Sequence, residues 1–236
     1  MTEQLDKTAQ DIGAVQTEQD RDTVQTCTVP AREFSTVLAA TDSFRAVKSM
    51  GRPVLELWKI DLDPTAQTLT VSATDSYCAV IATVQLDENF PTDCTAPMSF
   101  CIGQNAKLSD VVKVCAGPVI GQSVTIDLDK IAQTARITGA SSSVTIDAPR
   151  DMQFPNMSGL WPNDRRGICE PVSLNPANLA RIHKSMTAAH KCAGEPVAHK
   201  SVALICSDAL KPALFAYDIA EIALSVEILV MPIRVS

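Results

Sequence analysis

The sequence predicts an α+β protein made of repeated strand-helix-three-strand units, with helices gathered on one face and antiparallel sheets on the other. Three observations lead there. Beyond residue 23 the same order of hydrophobic periods returns three times. Each helical stretch is followed by short runs alternating apolar and polar residues, the period of half-buried strands. The helical stretches also share a positive charge that the rest of the chain lacks.

The first unit opens at Val29 and Pro30 and continues into AREFSTVLAATDSFRAVKS, where Phe34, Val37, Leu38 and Thr41 recur at helical spacing. VLELWKIDL, TLTVSATD and CAVIATVQL follow as strands, with Leu69, Val71 and Ala73 sharing a face. In the second unit MSFCIG precedes NAKLSDVVKVCAG, whose Leu108, Val111, Val112 and Cys115 form one helical stripe, with Asn105 as cap and Gly117 as terminator. SVTIDLD, TARITGA and SSVTIDAP then alternate, placing Val124, Ile126 and Leu128 on one face and Val144, Ile146 and Ala148 on another. The third unit begins with PVSL, followed by NPANLARIHKSMTAAHK, a helix capped by Asn175 with Pro176 in its first turn. SVALICS, PALFAYD and LSVEILVMPIR complete it as strands.

Charge divides along the same lines. Residues 32–48, 105–116 and 176–192 carry +1, +1 and +3, so the helices total +5 and leave −12 on the remainder of a chain whose net charge is −7. A common surface lined by such helices would be an electrostatic track for phosphates. Residues 1–23 hold six acids against two bases and no aromatic residue, too little apolar surface to offset the entropy of ordering; the reading is a disordered acidic tail. No apolar run reaches membrane-spanning length and the N-terminus lacks a signal-peptide pattern, which places the protein in the cytoplasm. The eight cysteines include no C-x-x-C pair and read as reduced structural residues.

Chemistry finds little purchase. The phosphate-binding, dinucleotide, nucleophile-elbow and zinc-protease motifs are all missing. His183, His190, His199 and Cys192 fit no standard zinc spacing, and Asp75 reads as a turn-fixing residue rather than a catalytic acid. The prediction is a non-enzyme without metal or cofactor.

Three segments carry a family resemblance. Arg52-Pro53-Val54-Leu55 followed by LTVSATDSYCAV resembles the signature of bacterial and bacteriophage DNA sliding clamps, the DNA polymerase III beta subunit family, in which an arginine-proline-valine-leucine strand precedes an alanine-threonine-aspartate-glycine turn. FPNMSGLWP, Phe154 to Pro162, is similar to the element joining the middle and last clamp domains, and VMPIRVS resembles the clamp C-terminus. The resemblance spans residues 29–236. It implies a clamp domain over 24–162 like the middle domain, and over 163–236 a half domain like the C-terminal half of the last. The family is longer, so this is a shortened form.

The resemblance further implies an oligomeric ring around duplex DNA, contacted without base reading by inward helices; Arg45, Lys48, Lys107, Lys113, Arg181 and Lys184 are the positions assigned there. It also implies a hydrophobic pocket that takes linear peptides from the polymerase and the clamp loader. By motif position the pocket residues are Leu57, Thr74, Ser76, Tyr77, Cys78, Ala79, Pro155, Gly159, Leu160, Val230, Met231, Pro232, Ile233 and Arg234. Ser76, Cys78 and Gly159 depart from the family's glycine, arginine and long basic residue, which bears on the turn and opens the pocket. Three units rather than six leave the third unpaired, with a sheet edge expected to pair with another subunit. An alternative function is a clamp-like adaptor or decoy that binds such peptides without closing a ring.

Overall fold

The computed structural model describes residues 24–87, 94, 96–103, 106–116, 121–150, 152–161, 173–196, 201–206 and 211–232. Residues 1–23 lie outside the described residues, as do Asn105, Gly117 and His199. Within the described range, strand β1 (Val24–Pro30) leads into helix α1 (Ala31–Asp42), followed by β2 (Trp58–Asp63), β3 (Thr68–Thr74) and β4 (Cys78–Gln85). The second unit is β5 (Met98–Ile102), α2 (Leu108–Cys115), β6 (Ser123–Asp129), β7 (Thr134–Thr138) and β8 (Ser143–Asp147). The third is α3 (Pro176–Ala193), β9 (Ala203–Ile205), β10 (Ala213–Ile219) and β11 (Leu224–Val230).

The strands form two antiparallel sheets, ordered β1-β6-β7-β8 and β5-β2-β3-β4-β11-β10-β9. The first two units exchange their opening strands: β1 pairs with β6 of unit two, and β5 pairs with β2 of unit one. Neither unit can then keep its sheet complete alone. The third unit is not left unpaired. Its β11 runs antiparallel to β4 from Leu224 opposite Val84 to Val230 opposite Cys78, so one edge is buried within the chain and, among the described residues, β9 is the edge left open.

The predicted alternation matches the burial. Leu69, Val71 and Ala73 are buried, as are Val124, Ile126 and Leu128, and all join one core with α1 and α3. The boundaries differ in two places. VLELWKIDL is not a single strand, because Pro53–Glu56 form a 3-10 turn and β2 starts only at Trp58. The helix expected to reach residue 49 stops at Asp42, since Phe44 turns into the core and the Ala46 amide donates to Leu55 O at 2.8 Å instead of continuing the helix. In the third unit, residues 173–175 form no strand, and Pro171 and Val172 lie outside the described residues.

Helix α1 also departs from the picture of a helix lining an open face. Every residue from Phe34 to Thr41 is buried, because strands of the seven-stranded sheet pack on it together with β1, α2 and α3. Helix α3 presents Asn178, Ile182, Ser185, Met186, Ala189 and Ala193 inward at helical spacing and leaves His183 and Lys184 exposed. Its N-terminal end is the one expected, with Asn175 Oδ1 accepting from the Ala177 amide at 2.9 Å; at the other end the helix runs on to Ala193 and Gly194 closes it at φ 76°.

Polar contacts set the docking of α3 on α1. Arg181 Nε donates to Ser43 O at 2.7 Å, Ser185 Oγ donates to Ala40 O at 2.6 Å, and Arg32 Nε donates to Ala193 O at 3.0 Å. The late residues of α1 meet the early residues of α3 and the reverse, so the helices are antiparallel. Ser185 also bonds the buried Tyr217 hydroxyl at 2.9 Å, tying the pair to β10. Each such bond contributes about 1 kcal/mol net, but one left unmade in the interior costs more. Register is thereby specified rather than left to apolar packing alone.

The buried thiols make this core sensitive to alkali. Loss of solvent on burial pushes Cys27, Cys78 and Cys115 up to about 12 and Cys101 to about 11, from the usual 9.0. Thiols held protonated in the fold give stability that is fully present below pH 9.0 and is lost as pH rises toward 12, because the unfolded chain ionises first. Urea unfolding should therefore give a steady midpoint at pH 7–8 and a falling one above pH 9.0. A midpoint that holds to pH 11 would mean the thiols are not protected.

Candidate functional site

The outer face of the seven-stranded sheet carries a second, smaller apolar cluster away from the helices. Thr74, Ala79, Leu229 and Leu214 lie side by side across β3, β4, β11 and β10, as the strand pairings require. Ala79, Leu214 and Leu229 join Met157 there, flanked by Phe154, Trp161 and Ile205. An outward sheet face needs a cover when it is apolar, and the segment after β8 supplies part of it.

The β3–β4 turn borders this cluster. Asp75 Oδ1 accepts from the amides of Tyr77 and Cys78 at 2.9 and 2.8 Å, while Thr74 Oγ1 donates to Cys78 O at 2.7 Å. This is the turn-fixing role that an Asp between strands predicts. The other carboxylate oxygen, Oδ2, receives Arg181 Nη1 at 2.6 Å, so α3 buttresses the turn from behind. Ser76 sits at φ 80°, in the left-handed region, and its hydroxyl accepts from Arg52 Nη1 at 2.8 Å. The bend turns Tyr77 out to 63% exposure while its carbonyl accepts the Met231 amide at 2.9 Å.

Turn, covering segment and the end of β11 enclose a cavity of about 130 Å³. Its lining is Leu55, Thr74, Ser76, Tyr77, Cys78, Ala79, Pro155, Asn156, Met157, Leu160, Leu229 and Met231. Of the residues the sequence assigned, Thr74, Ser76, Tyr77, Cys78, Ala79, Pro155, Leu160 and Met231 are brought together here. Leu57 and Val230 are not: both are fully buried without lining it, Val230 within the main core. Gly159 is exposed and Pro232 half-buried without lining the cavity, and Ile233 and Arg234 lie outside the described residues.

Leu55, Asn156, Met157 and Leu229 were missed. Leu229 had a signal: along LSVEILV the outward positions run Ser225, Glu227, Leu229, so alternation breaks where an apolar residue takes a solvent-side position. Leu55 reaches the cavity from the 3-10 turn that precedes β2. The signal for Asn156 and Met157 is their place within FPNMSGLWP, directly after the assigned Pro155.

No protein-family model matches the sequence, and no curated protein sequence matches it. Solved structures do match. The DNA polymerase III beta subunit of Thermotoga maritima superposes with a TM-score of 0.65 at 13% identity, over 89% of this chain and 66% of that one. The DNA polymerase III subunit beta of Pseudomonas aeruginosa gives 0.65 at 12% identity, over 89% and 67%. A DNA polymerase sliding clamp from Pseudomonas aeruginosa, solved with a ligand, gives 0.62 at 13%, over 89% and 66%. This is the sliding-clamp fold. The chain spans about two thirds of the length of the clamps it matches.

The six cationic positions expected on a clamp's DNA side separate into two groups. Lys48, Lys107, Lys113 and Lys184 are exposed, with Lys113 3.8 Å from Asp110. Arg45 and Arg181 are half-buried, their guanidiniums engaged within the protein. The Arg45 guanidinium lies 3.5 Å over the Trp58 ring, pairs with Asp42 at 2.7 Å, and donates to the carbonyls of Glu56, Gly103 and Ala106. Arg181 is held by Asp75 and Ser43 above Phe44. Their donors satisfy part-buried carbonyls and two carboxylates, a structural demand that net charge along the sequence does not reveal.

Ser76 occupies the clamp turn where a glycine is at ease, and a side chain at positive φ costs about 1 kcal/mol. Ser76→Gly should stabilise the chain by about 0.5–1 kcal/mol after loss of the exposed Arg52 contact, read as a raised midpoint in urea. A lowered midpoint would mean that the Arg52–Ser76 bond outweighs the backbone strain.

Proposed function

We propose that this chain is a short DNA sliding clamp, a polymerase processivity factor that holds its partners through a linear peptide seated in the cavity beside the β3–β4 turn. One observation carries the reading. Tyr77, Leu160 and Met231, three large apolar side chains left 63%, 40% and 37% exposed, surround a single cavity backed by a buried apolar cluster. Exposed apolar groups gathered at one concavity mark an interaction site. At about 130 Å³ the space falls below the roughly 300–1,000 Å³ of small-molecule sites and suits an anchoring side chain of a peptide. Met157 and Met231 give it adaptable walls, which fits a site serving several partners.

On this reading the polymerase and the clamp loader share the site, and the chain performs no chemistry of its own. Duplex DNA is contacted through phosphates, independently of sequence, by Lys48, Lys107, Lys113 and Lys184. The open strand β9, with Leu204 54% exposed, offers an edge for assembly into a homo-oligomer. A cytoplasmic location goes with this role; among the described residues no helix is long and apolar enough to cross a membrane.

A second reading has its own support. With Arg45 and Arg181 engaged internally, fewer cations remain for DNA, and an adaptor that binds clamp-directed peptides without closing a ring would need none of them. The two separate on DNA topology: a ring stays on circular DNA and leaves it on linearisation, whereas an adaptor binds peptide and ignores topology.

Met231→Ala removes an exposed wall of the cavity. A fluorescent peptide from a clamp-binding polymerase should bind the variant about threefold to tenfold more weakly, with an unchanged melting temperature. Equal affinity for both proteins would count against the site.

A further inference from the structure

A second cavity, of about 360 Å³, opens where edge strands of the two sheets come together. It is lined by Gln25 of β1, by Ser99, Phe100 and Cys101 of β5, and by the chain that leaves β8, among other residues. Consecutive strand residues point to opposite faces. A cavity touching Ser99, Phe100 and Cys101 in succession therefore wraps around the margin of β5. Among the described residues that margin carries no second strand, since β5 is the last strand of its sheet and pairs there with β2; just past it the Gly103 amide donates to Asp147 O at 2.8 Å.

The walls combine two chemistries. Phe100, Met152 and Phe154 are half-buried and supply the apolar part. Lys59, Lys130 and Arg150 supply three positive charges against one carboxylate, Asp129. Lys59 is paired with Asp61 at 3.0 Å, and Asp129 Oδ1 already accepts from the amides of Ile131 and Ala132 at 2.9 and 2.8 Å. Lys130 and Arg150 are exposed and have no ion-pair partner among the described residues. On a chain of net charge −7, two unengaged cations beside an apolar hollow and an open sheet edge form a local exception.

We propose that this cavity binds an extended peptide segment of a separate protein, one carrying a large apolar side chain flanked by carboxylates. The peptide adds to the open margin of β5 through main-chain hydrogen bonds, its apolar side chain enters between Phe100, Met152 and Phe154, and its carboxylates meet Lys130 and Arg150. The volume lies within the usual range for occupied pockets of roughly 300–1,000 Å³. Charge complementarity selects the occupant: an apolar or basic strand finds the same edge but leaves the two cations unanswered. The site does not depend on the reading of the smaller cavity. The strap after β8 contributes Met152 and Phe154 to one and Pro155 to Met157 to the other, so both can be filled at once.

The test is fluorescence anisotropy of the full chain with a labelled peptide of alternating leucine and glutamate, beside a control with lysine for every glutamate. The acidic peptide should bind, the basic one should not, and Lys130→Glu with Arg150→Glu should weaken binding of the acidic peptide about tenfold without altering the melting temperature. Met231→Ala should leave this affinity unchanged. Equal binding of both peptides, no loss in the double variant, or a loss on Met231→Ala would each overturn the proposal. A synthetic peptide of residues 1–23 that displaces the probe more strongly than the unlabelled acidic peptide would assign the cavity to the chain's own acidic end and overturn the separate partner.

Discussion

The guanidinium of Arg181 joins three parts of the chain that the sequence keeps far apart. It extends from α3, donates to the Ser43 carbonyl just past the end of α1, lies over the Phe44 ring, and pairs with Asp75 in the β3–β4 turn. Asp75 in turn holds the amides of Tyr77 and Cys78, so the conformation of the turn and the seating of the last helix are coupled. A charge drawn this far out of solvent is tolerated because its partners are present; without Asp75 or Ser43 O its partial burial would carry a cost.

Around that contact the third unit becomes part of the body formed by the first two. Pairing of β11 with β4 extends the sheet, and the antiparallel packing of α3 on α1 buries a helix that would otherwise have presented one side to solvent. The same arrangement creates the smaller cavity, since Leu229 and Met231 reach the turn only when β11 lies against β4. Fold and site thus share one origin. A chain spanning two thirds of the clamps it superposes on still assembles the face where that cavity lies.

The outer face of the sheet illustrates how an apolar surface is kept from being only a liability. Leu214, Ala79 and Leu229 are covered by Met157 with Phe154 and Trp161 alongside, while Tyr77, Leu160 and Met231 stay open at the margin. Partial cover leaves a concavity rather than a flat apolar patch, which limits indiscriminate association while leaving room for an inserted side chain.

Local rules were enough for much of this protein. Asn175 and Pro176 open α3 because helix ends need their free amides satisfied by nearby residues, and alternation in SVTIDLD and TLTVSATD orients the strands because side chains in a strand point to opposite faces in turn. The turn at Asp75 was equally legible, its carboxylate bonding amides two and three residues on. Other features depended on residues distant in sequence. Leu55 bonds Ala46 and ends any continuation of α1; Asp42 with Trp58, and Asp75 with Ser43, draw Arg45 and Arg181 inward from the surface that their charge suggested. Leu229 rather than Val230 faces the cavity because pairing with Ala79 decides which side of β11 is outward. Periodicity and capping act over a few residues and can be read along the chain, whereas the partner of a buried charge and the face of a paired strand exist only once remote segments meet.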